Sequence, residues 1–178
     1  FARTNLSFMD KYLLTLSYRR DGTSRFNSDN RWGNFPAAAL AWKINEEDFL
    51  KDSNVLSELK LRLGWGITGQ QDIPAAYAYL PVYNVSQVTS QVIIDGQPVN
   101  TGIPAYRNEA IKWEETTSYN IGFDYGFLNN RLNGSIDLFY KVSDDLLSFA
   151  PVADGANFGN AGYQNIGSLS SRGVEFAI

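Results

Sequence analysis

Neither cysteine nor histidine occurs among the 178 residues of this chain, and methionine occurs once. Those absences exclude disulfides, thiol nucleophiles, Cys/His zinc sites and histidine-based catalytic triads. Long apolar runs are lacking too. The longest, Phe35 to Trp42, falls far short of the roughly 18 to 20 residues of a membrane-spanning helix. Transmembrane helices are excluded, but transmembrane strands are not, because their alternating side chains average to a neutral hydropathy. There is no cationic excess: 15 Lys and Arg stand against 19 Asp and Glu, a net charge of −4, which argues against nucleic acid as a partner. Phe1-Ala2-Arg3-Thr4 carries neither an initiator Met nor a signal peptide. Strand-like patterns at both ends give the expectation that the chain is a piece of something larger.

What the chain has in quantity is aromatic: 11 Phe, 10 Tyr and 4 Trp, or 14 % of its residues. Many of them sit in segments with a period of two. In Leu59-Lys60-Leu61-Arg62-Leu63-Gly64-Trp65-Gly66-Ile67-Thr68 every odd position is large and apolar, and every even one is charged, small or polar. Ser118 to Phe127 repeats the pattern. A period of two is a β-strand with one greasy and one wet face.

Seven such strands are predicted: Ala2–Met9, Tyr12–Asp21, Arg31–Ile44, Leu59–Thr68, Glu114–Leu128, Leu132–Asp144 and Ser171–Ile178. The fold class is therefore all-β, an antiparallel transmembrane β-barrel segment. Most strands reach the roughly ten residues that a tilted strand needs to cross a lipid band about 25 Å tall. The tight turns Asp10-Lys11 and Asn129-Asn130-Arg131 and the intermediate Asn45–Glu58 linker fall at one end of the strands, and the Gly22–Asn30 loop, the long Gly69–Trp113 loop and the loop holding Gln164 at the other. That rhythm matches barrels with short periplasmic turns and long external loops. Asn45 to Leu50 reads as an N-capped helical turn with acids at its positive end, and Val85 to Gly96 as a hairpin within the longest loop.

The alternation assigns Leu6, Phe8, Tyr12, Leu14, Leu40, Trp42, Leu63, Trp65, Ile121, Phe123, Leu138 and Val174 to a lipid face. A water-filled lumen would receive Arg19, Lys60, Arg62, Asp124, Asp137 and Lys141. Phe8, Tyr12, Trp42 and Phe127 fall where an aromatic girdle belongs at the short-turn end, with Tyr18 and Tyr140 toward the other.

Several strings go beyond periodicity. Lys11-Tyr12-Leu13-Leu14-Thr15-Leu16-Ser17-Tyr18-Arg19-Arg20-Asp21-Gly22-Thr23-Ser24-Arg25-Phe26 resembles a signature of the SusC/RagA family of TonB-dependent outer-membrane transporters of Bacteroidetes. So do Asn30-Arg31-Trp32-Gly33-Asn34-Phe35-Pro36, Gly66-Ile67-Thr68-Gly69-Gln70-Gln71, Ile111-Lys112-Trp113-Glu114-Glu115-Thr116 and Asn129-Asn130-Arg131-Leu132-Asn133-Gly134. Asn165-Ile166-Gly167 and Arg172-Gly173-Val174-Glu175 close the series in the family's order. The resemblance implies that residues 1–178 are part of a barrel of about 22 strands, with the plug domain and the TonB-contacting segment elsewhere. It implies import of oligosaccharides or oligopeptides across the outer membrane, driven through TonB, under a SusD-like surface lipoprotein.

Candidate ligand contacts are Tyr77, Tyr79, Tyr83 and Tyr106, in or near the longest loop, where aromatic faces suit sugar stacking; loop packing explains them as well. The lumen charges could guide substrate or pair with one another. The oxygen-rich Gly22–Asn30 loop lacks the alternating acids of a calcium loop, and Glu46-Glu47-Asp48 reads as a solvated capping cluster. No catalytic residue, metal or cofactor is expected, and an enzyme-bearing barrel ranks last. A soluble β-sandwich glycan-binding or adhesin module remains the alternative.

Overall fold

The structure, a computed structural model, describes residues 1–51, 53, 55–86 and 91–178. Its first four strands are β1 (Ala2–Phe8), β2 (Tyr12–Gly22), β3 (Trp32–Lys43) and β4 (Leu56–Gln70). The long connection that follows carries four three-residue strands, β5 (Tyr83–Val85), β6 (Val92–Ile94), β7 (Gln97–Val99) and β8 (Gly102–Pro104). Then come β9 (Glu114–Phe127), β10 (Leu132–Asp144), β11 (Leu147–Pro151), β12 (Ala161–Asn165) and β13 (Ser168–Ala177). Seven of these form one antiparallel sheet in the order β1-β2-β3-β4-β9-β10-β13, each strand beside the next long one in the chain.

Register turns the period of two into continuous stripes. Residues opposite one another share a face, so Leu6, Leu14, Leu40, Leu63, Ile121, Leu138 and Val174 form one aliphatic row across all seven strands. Two residues away runs a second row, Phe8, Tyr12, Trp42, Leu61, Phe123, Ile136 and Phe176. This apolar face is open: Leu63 is 38 % exposed, Ile121 43 % and Leu138 44 %. The only buried hydrophobic side chains among the described residues are Phe26, Phe35, Ile73, Ile111 and Trp113. Four of those five come from connections rather than long strands, so the core lies at the long-loop end and not beneath the sheet.

The short-turn end differs in detail from the sequence expectation. Met9 belongs to the first turn rather than to β1; Met9 and Asp10 both have φ of 53°, the left-handed pair that matches strand twist in a tight hairpin. The second turn begins at Leu128, with positive φ at Leu128, Asn129 and Asn130. Ile44–Glu46 is a single 3-10 turn without any side-chain cap, so the N-capped helix is a misassignment: Asn45 instead accepts the Leu59 amide and Glu47 follows the turn.

The long-loop end departs more. The Val85–Gly96 hairpin does not form as expected. β6 pairs with β7 around Asp95-Gly96, and β5 pairs with β8. Asp-Gly strongly favours the two-residue turn, so the dipeptide is the tip of the hairpin rather than its end. Positions 87–90 of that expectation lie outside the described residues, as do 52 and 54 of the Asn45–Glu58 linker. The last long loop contains an unexpected hairpin, β11 with β12.

Candidate binding site at the long-loop end

Three connections converge at the long-loop end of the sheet. Phe35, on β3, lays its ring over backbone that must be glycine: a Cβ at Gly69 or Gly33 would fall 2.2 Å or 2.3 Å from Phe35 Cζ. Trp113 stands edge-on to Phe35 (5.3 Å between centroids) and to Phe26 (5.8 Å). Its indole N–H donates to the Arg31 carbonyl at 3.3 Å. Ile73 and Ile111 complete the cluster, with Tyr79, Leu147 and Tyr163 packed against it.

Asparagines staple these loops, since a carboxamide can replace backbone partners where regular pairing has ended. Asn27 Oδ1 accepts the Asp29 and Asn30 amides (both 3.0 Å) while its Nδ2 donates to the Glu109 carbonyl at 2.6 Å. Asn165 accepts the Lys112 amide at 2.9 Å and donates to the Lys112 and Asp145 carbonyls. Asn157 makes the same two-way bond with the Arg107 backbone. The oxygen-rich Gly22–Asn30 loop thus spends its Asn side chains on docking.

Between the long connection and the β11–β12 hairpin lies an open cavity of about 580 Å³, within the size range of small-molecule sites. Its aromatic lining is Tyr77, Tyr106, Phe149, Phe158 and Tyr163. Tyr106 sits against Gly159 and Gly162, and a Cβ at Gly162 would come within 1.8 Å of its ring. Burial pushes the Tyr106 hydroxyl pKa upward, so it stays a protonated donor. Phe149 and Tyr163 meet edge to face at 5.4 Å.

Of the four tyrosines singled out in the sequence, Tyr77 and Tyr106 line this cavity. Tyr79 packs on the core cluster, edge-on to Tyr77 at 6.4 Å. Tyr83 stands exposed on β5. Phe149, Phe158 and Tyr163 went unnoticed, although the alternation of Leu147 and Phe149 before a glycine-rich stretch was a readable hairpin signal.

The charges assigned to the wet face share the side of the sheet opposite the apolar rows, as their register pairs require. Arg62 and Asp137 lie on β4 and β10 with Gly122 of β9 between them. A Cβ at Gly122 would meet Asp137 Oδ1 at 2.5 Å and Arg62 Cζ at 2.7 Å. The glycine is what lets the guanidinium cross a whole strand. Arg62 also donates to Asp124 through Nε (3.0 Å) and Nη2 (2.8 Å), and reaches Asp137 Oδ2 at 3.0 Å. Lys60 completes the network on Asp124 at 2.8 Å and Glu58 at 3.3 Å. Arg19 pairs with Asp21, and Lys141 lies over the Phe139 ring at 5.5 Å.

At the short-turn end, Glu47 is not the solvated cap expected from sequence. Its Oε1 accepts from Tyr12 Oη at 2.7 Å and Trp42 Nε1 at 2.9 Å, and Oε2 from Lys11 Nζ at 3.1 Å. These bonds, the tyrosine's first, lower its pKa to about 2. Tyr12 and Trp42 stack at 6.1 Å, so one carboxylate fixes the polar tips of two girdle aromatics.

A family model described as TonB dependent receptor-like, beta-barrel matches residues 1–178. The TonB-dependent receptor SusC of Bacteroides thetaiotaomicron is 52% identical over the whole chain, which covers 18% of that protein. The TonB-dependent receptor P39 of Formosa agariphila is 39% identical, and the chain covers 16% of it. Among solved structures, the RagAB peptide importer in its 'closed-closed' and 'open-open' states superposes with TM-scores of 0.82 and 0.84 at 28% identity. Each of those alignments covers 98% of this chain and 18% of the other. The chain thus spans less than a fifth of the length of these relatives.

Proposed function

The chain belongs to the TonB-dependent receptor β-barrel family, and from that premise we propose that residues 1–178 are a wall section of a bacterial outer-membrane importer of large nutrients, oligosaccharides foremost. One observation carries the membrane placement: two apolar rows run unbroken and uncovered across seven strands, six of them ten to fifteen residues long. Water would penalise such a face heavily, whereas hydrocarbon accepts it. A β-sandwich would bury those rows under a second sheet; the three remaining sheets are two-stranded and belong to the loops.

In this reading the long loops face the cell exterior and the polar face lines the passage. The Lys60, Arg62, Asp124 and Asp137 network is largely self-neutralising, which suits a wall that a neutral solute slides past. The aromatic cavity beside Tyr106 supports carbohydrate, because sugar rings stack on aromatic faces while a half-buried tyrosine hydroxyl donates to their oxygens. Tyr77, Tyr79 and Tyr83 are secondary contacts, the latter two outside the cavity itself. A SusD-like lipoprotein would cover the loops, and TonB would act through a plug supplied by other residues of the protein. The wall performs no chemistry. Oligopeptides are the second substrate class, favoured by the likeness to a solved peptide importer.

The test offers fluorescent oligosaccharides and size-matched oligopeptides to cells producing the full-length protein as their sole importer of this kind. Oligosaccharide uptake abolished by a protonophore is expected. Uptake of peptides alone would overturn the substrate class, and uptake indifferent to the protonophore would overturn energised import.

A further inference from the structure

Beyond the apolar rows, on the same outward side, the sheet carries a built cationic patch. Even-numbered residues of β2 from Tyr12 to Tyr18 face outward, and Arg20 is next in that series, opposite Asn34 of β3. Its guanidinium lies over the Trp32 ring, 5.0 Å from the centroid, within cation–π range. Trp32 lies flat against the sheet because its partner is Gly22: a Cβ there would sit 2.8 Å from the indole. The indole remains 54% exposed. Tyr18 donates to Asn34 Oδ1 at 2.6 Å, fixing the neighbouring pair. Arg172, on the same outward face at the far side of the sheet, is no part of this patch: its register runs through Tyr140, Tyr119, Trp65 and Ala38 to Leu16, four residues deeper than Arg20.

Depth gives Arg20 its meaning. From Tyr12 to Arg20 the strand advances about 20 Å along the membrane normal at about 2.5 Å per residue. That puts Arg20 at the upper edge of a lipid band about 25 Å tall, level with aromatic side chains of the kind that mark the interface. Arg19, the adjacent residue on the wet face, has Asp21 as partner. Among the described residues Arg20 pairs with no acid. The acids on this side, Glu115 and Asp144, oppose each other across β9 and β10, four residues farther out than Tyr119 and Tyr140. A guanidinium facing the hydrocarbon edge needs an anion, and its fork matches a phosphate.

We propose that Arg20, held on Trp32, binds the headgroup phosphate of an anionic lipid in the leaflet at the long-loop end, so that this wall selects its own lipid shell. The proposal rests on the membrane placement argued above. Arg20 is a positioning contact for lipid and takes no part in substrate capture.

The full-length protein and its Arg20→Gln and Arg20→Lys variants are folded into vesicles of about nine parts phosphatidylcholine to one part phosphatidic acid. They are then released in mild detergent, and native mass spectrometry counts the phosphatidic acid retained. Arg20→Gln is expected to lower that affinity about fivefold, the share of one basic side chain at an anionic surface; Arg20→Lys is expected to recover part of it. Inorganic phosphate added at matched concentration is expected to leave the count unchanged. Retention by Arg20→Gln equal to the parent's overturns the proposal, as does equal displacement by inorganic phosphate. Heat-dependent gel mobility checks insertion separately. Failure of the parent to insert would overturn the membrane placement, whereas normal insertion of every variant with unchanged retention sinks only the lipid contact.

Discussion

Two adjacent substitutions on β4 distinguish a lipid-facing wall from any soluble arrangement of the same strands. Leu63 stands fourth in the aliphatic row that runs from Leu6 to Val174, with Leu40 and Ile121 as its direct neighbours. Leu63→Arg puts a guanidinium near the bilayer midplane, at a cost of about 2–4 kcal/mol. That is a fall of about 30- to 900-fold in the folding equilibrium constant. Gly64 points the other way, and the nearest atom to a Cβ added there is Asn120 Cβ at 3.7 Å. Gly64→Arg therefore has room on the wet face, and its expected effect is within about 0.5 kcal/mol. The assay folds the full-length protein and both variants into phosphatidylcholine vesicles, titrates guanidinium and reads the folded fraction from heat-dependent gel mobility. Parent-like stability of Leu63→Arg, or an equal loss in Gly64→Arg, would refute the assignment of faces.

Four further outcomes are expected. Gly162→Val should drive its side chain into Tyr106, whose ring already lies within 1.8 Å of a Cβ at that position. Proteolysis between β11 and β12 should accelerate and ligand affinity fall while the barrel stays assembled. Trp113→Ala should loosen all three connections by about 3–5 kcal/mol of lost packing, seen as faster hydrogen exchange at the long-loop end alone. Arg62→Met should cost about 1–3 kcal/mol by leaving Asp124 and Asp137 without their shared donor, and adding Asp124→Asn should return part of it in a double-mutant cycle. Glu47, whose folded pKa is lowered to about 2, contributes stability that is complete above the unfolded carboxylate range and is lost as pH falls from about 4.5 toward 2. Tryptophan fluorescence should therefore report a loosening of the short-turn end across that window, and Glu47→Gln should abolish the pH dependence.

The sheet was legible from sequence because its determinants are local. Leu59 to Thr68 states its own period, and antiparallel neighbours joined by tight turns inherit a register without help from distant residues. The errors at turns were small and chemical. Met9 and Leu128 occupy left-handed positions usually left to Asn or Gly, and composition offers no hint of that. The Val85–Gly96 misassignment was avoidable, since Asp95-Gly96 names its own turn.

The binding end was illegible for a different reason. Phe26 and Phe35 pack against Trp113 from a distant part of the chain, with no periodicity to announce it. Tyr106 gains its seat from Gly159 and Gly162 across more than fifty residues of sequence. Composition alone made Tyr83 as attractive as Tyr106, and only placement separates an exposed strand residue from one lining a cavity. The two ends of the molecule also hold together by different means. Along the strands the solvent is hydrocarbon, so side chains need only be apolar, and Leu, Ile, Val and Phe interchange with little constraint on shape. At the long-loop end the solvent is water, and five buried side chains with a handful of asparagines must specify one packing. Under the proposed function, substrate selection should therefore evolve through the loops, where shape is specified, while the strand rows drift among apolar residues without changing what the wall does.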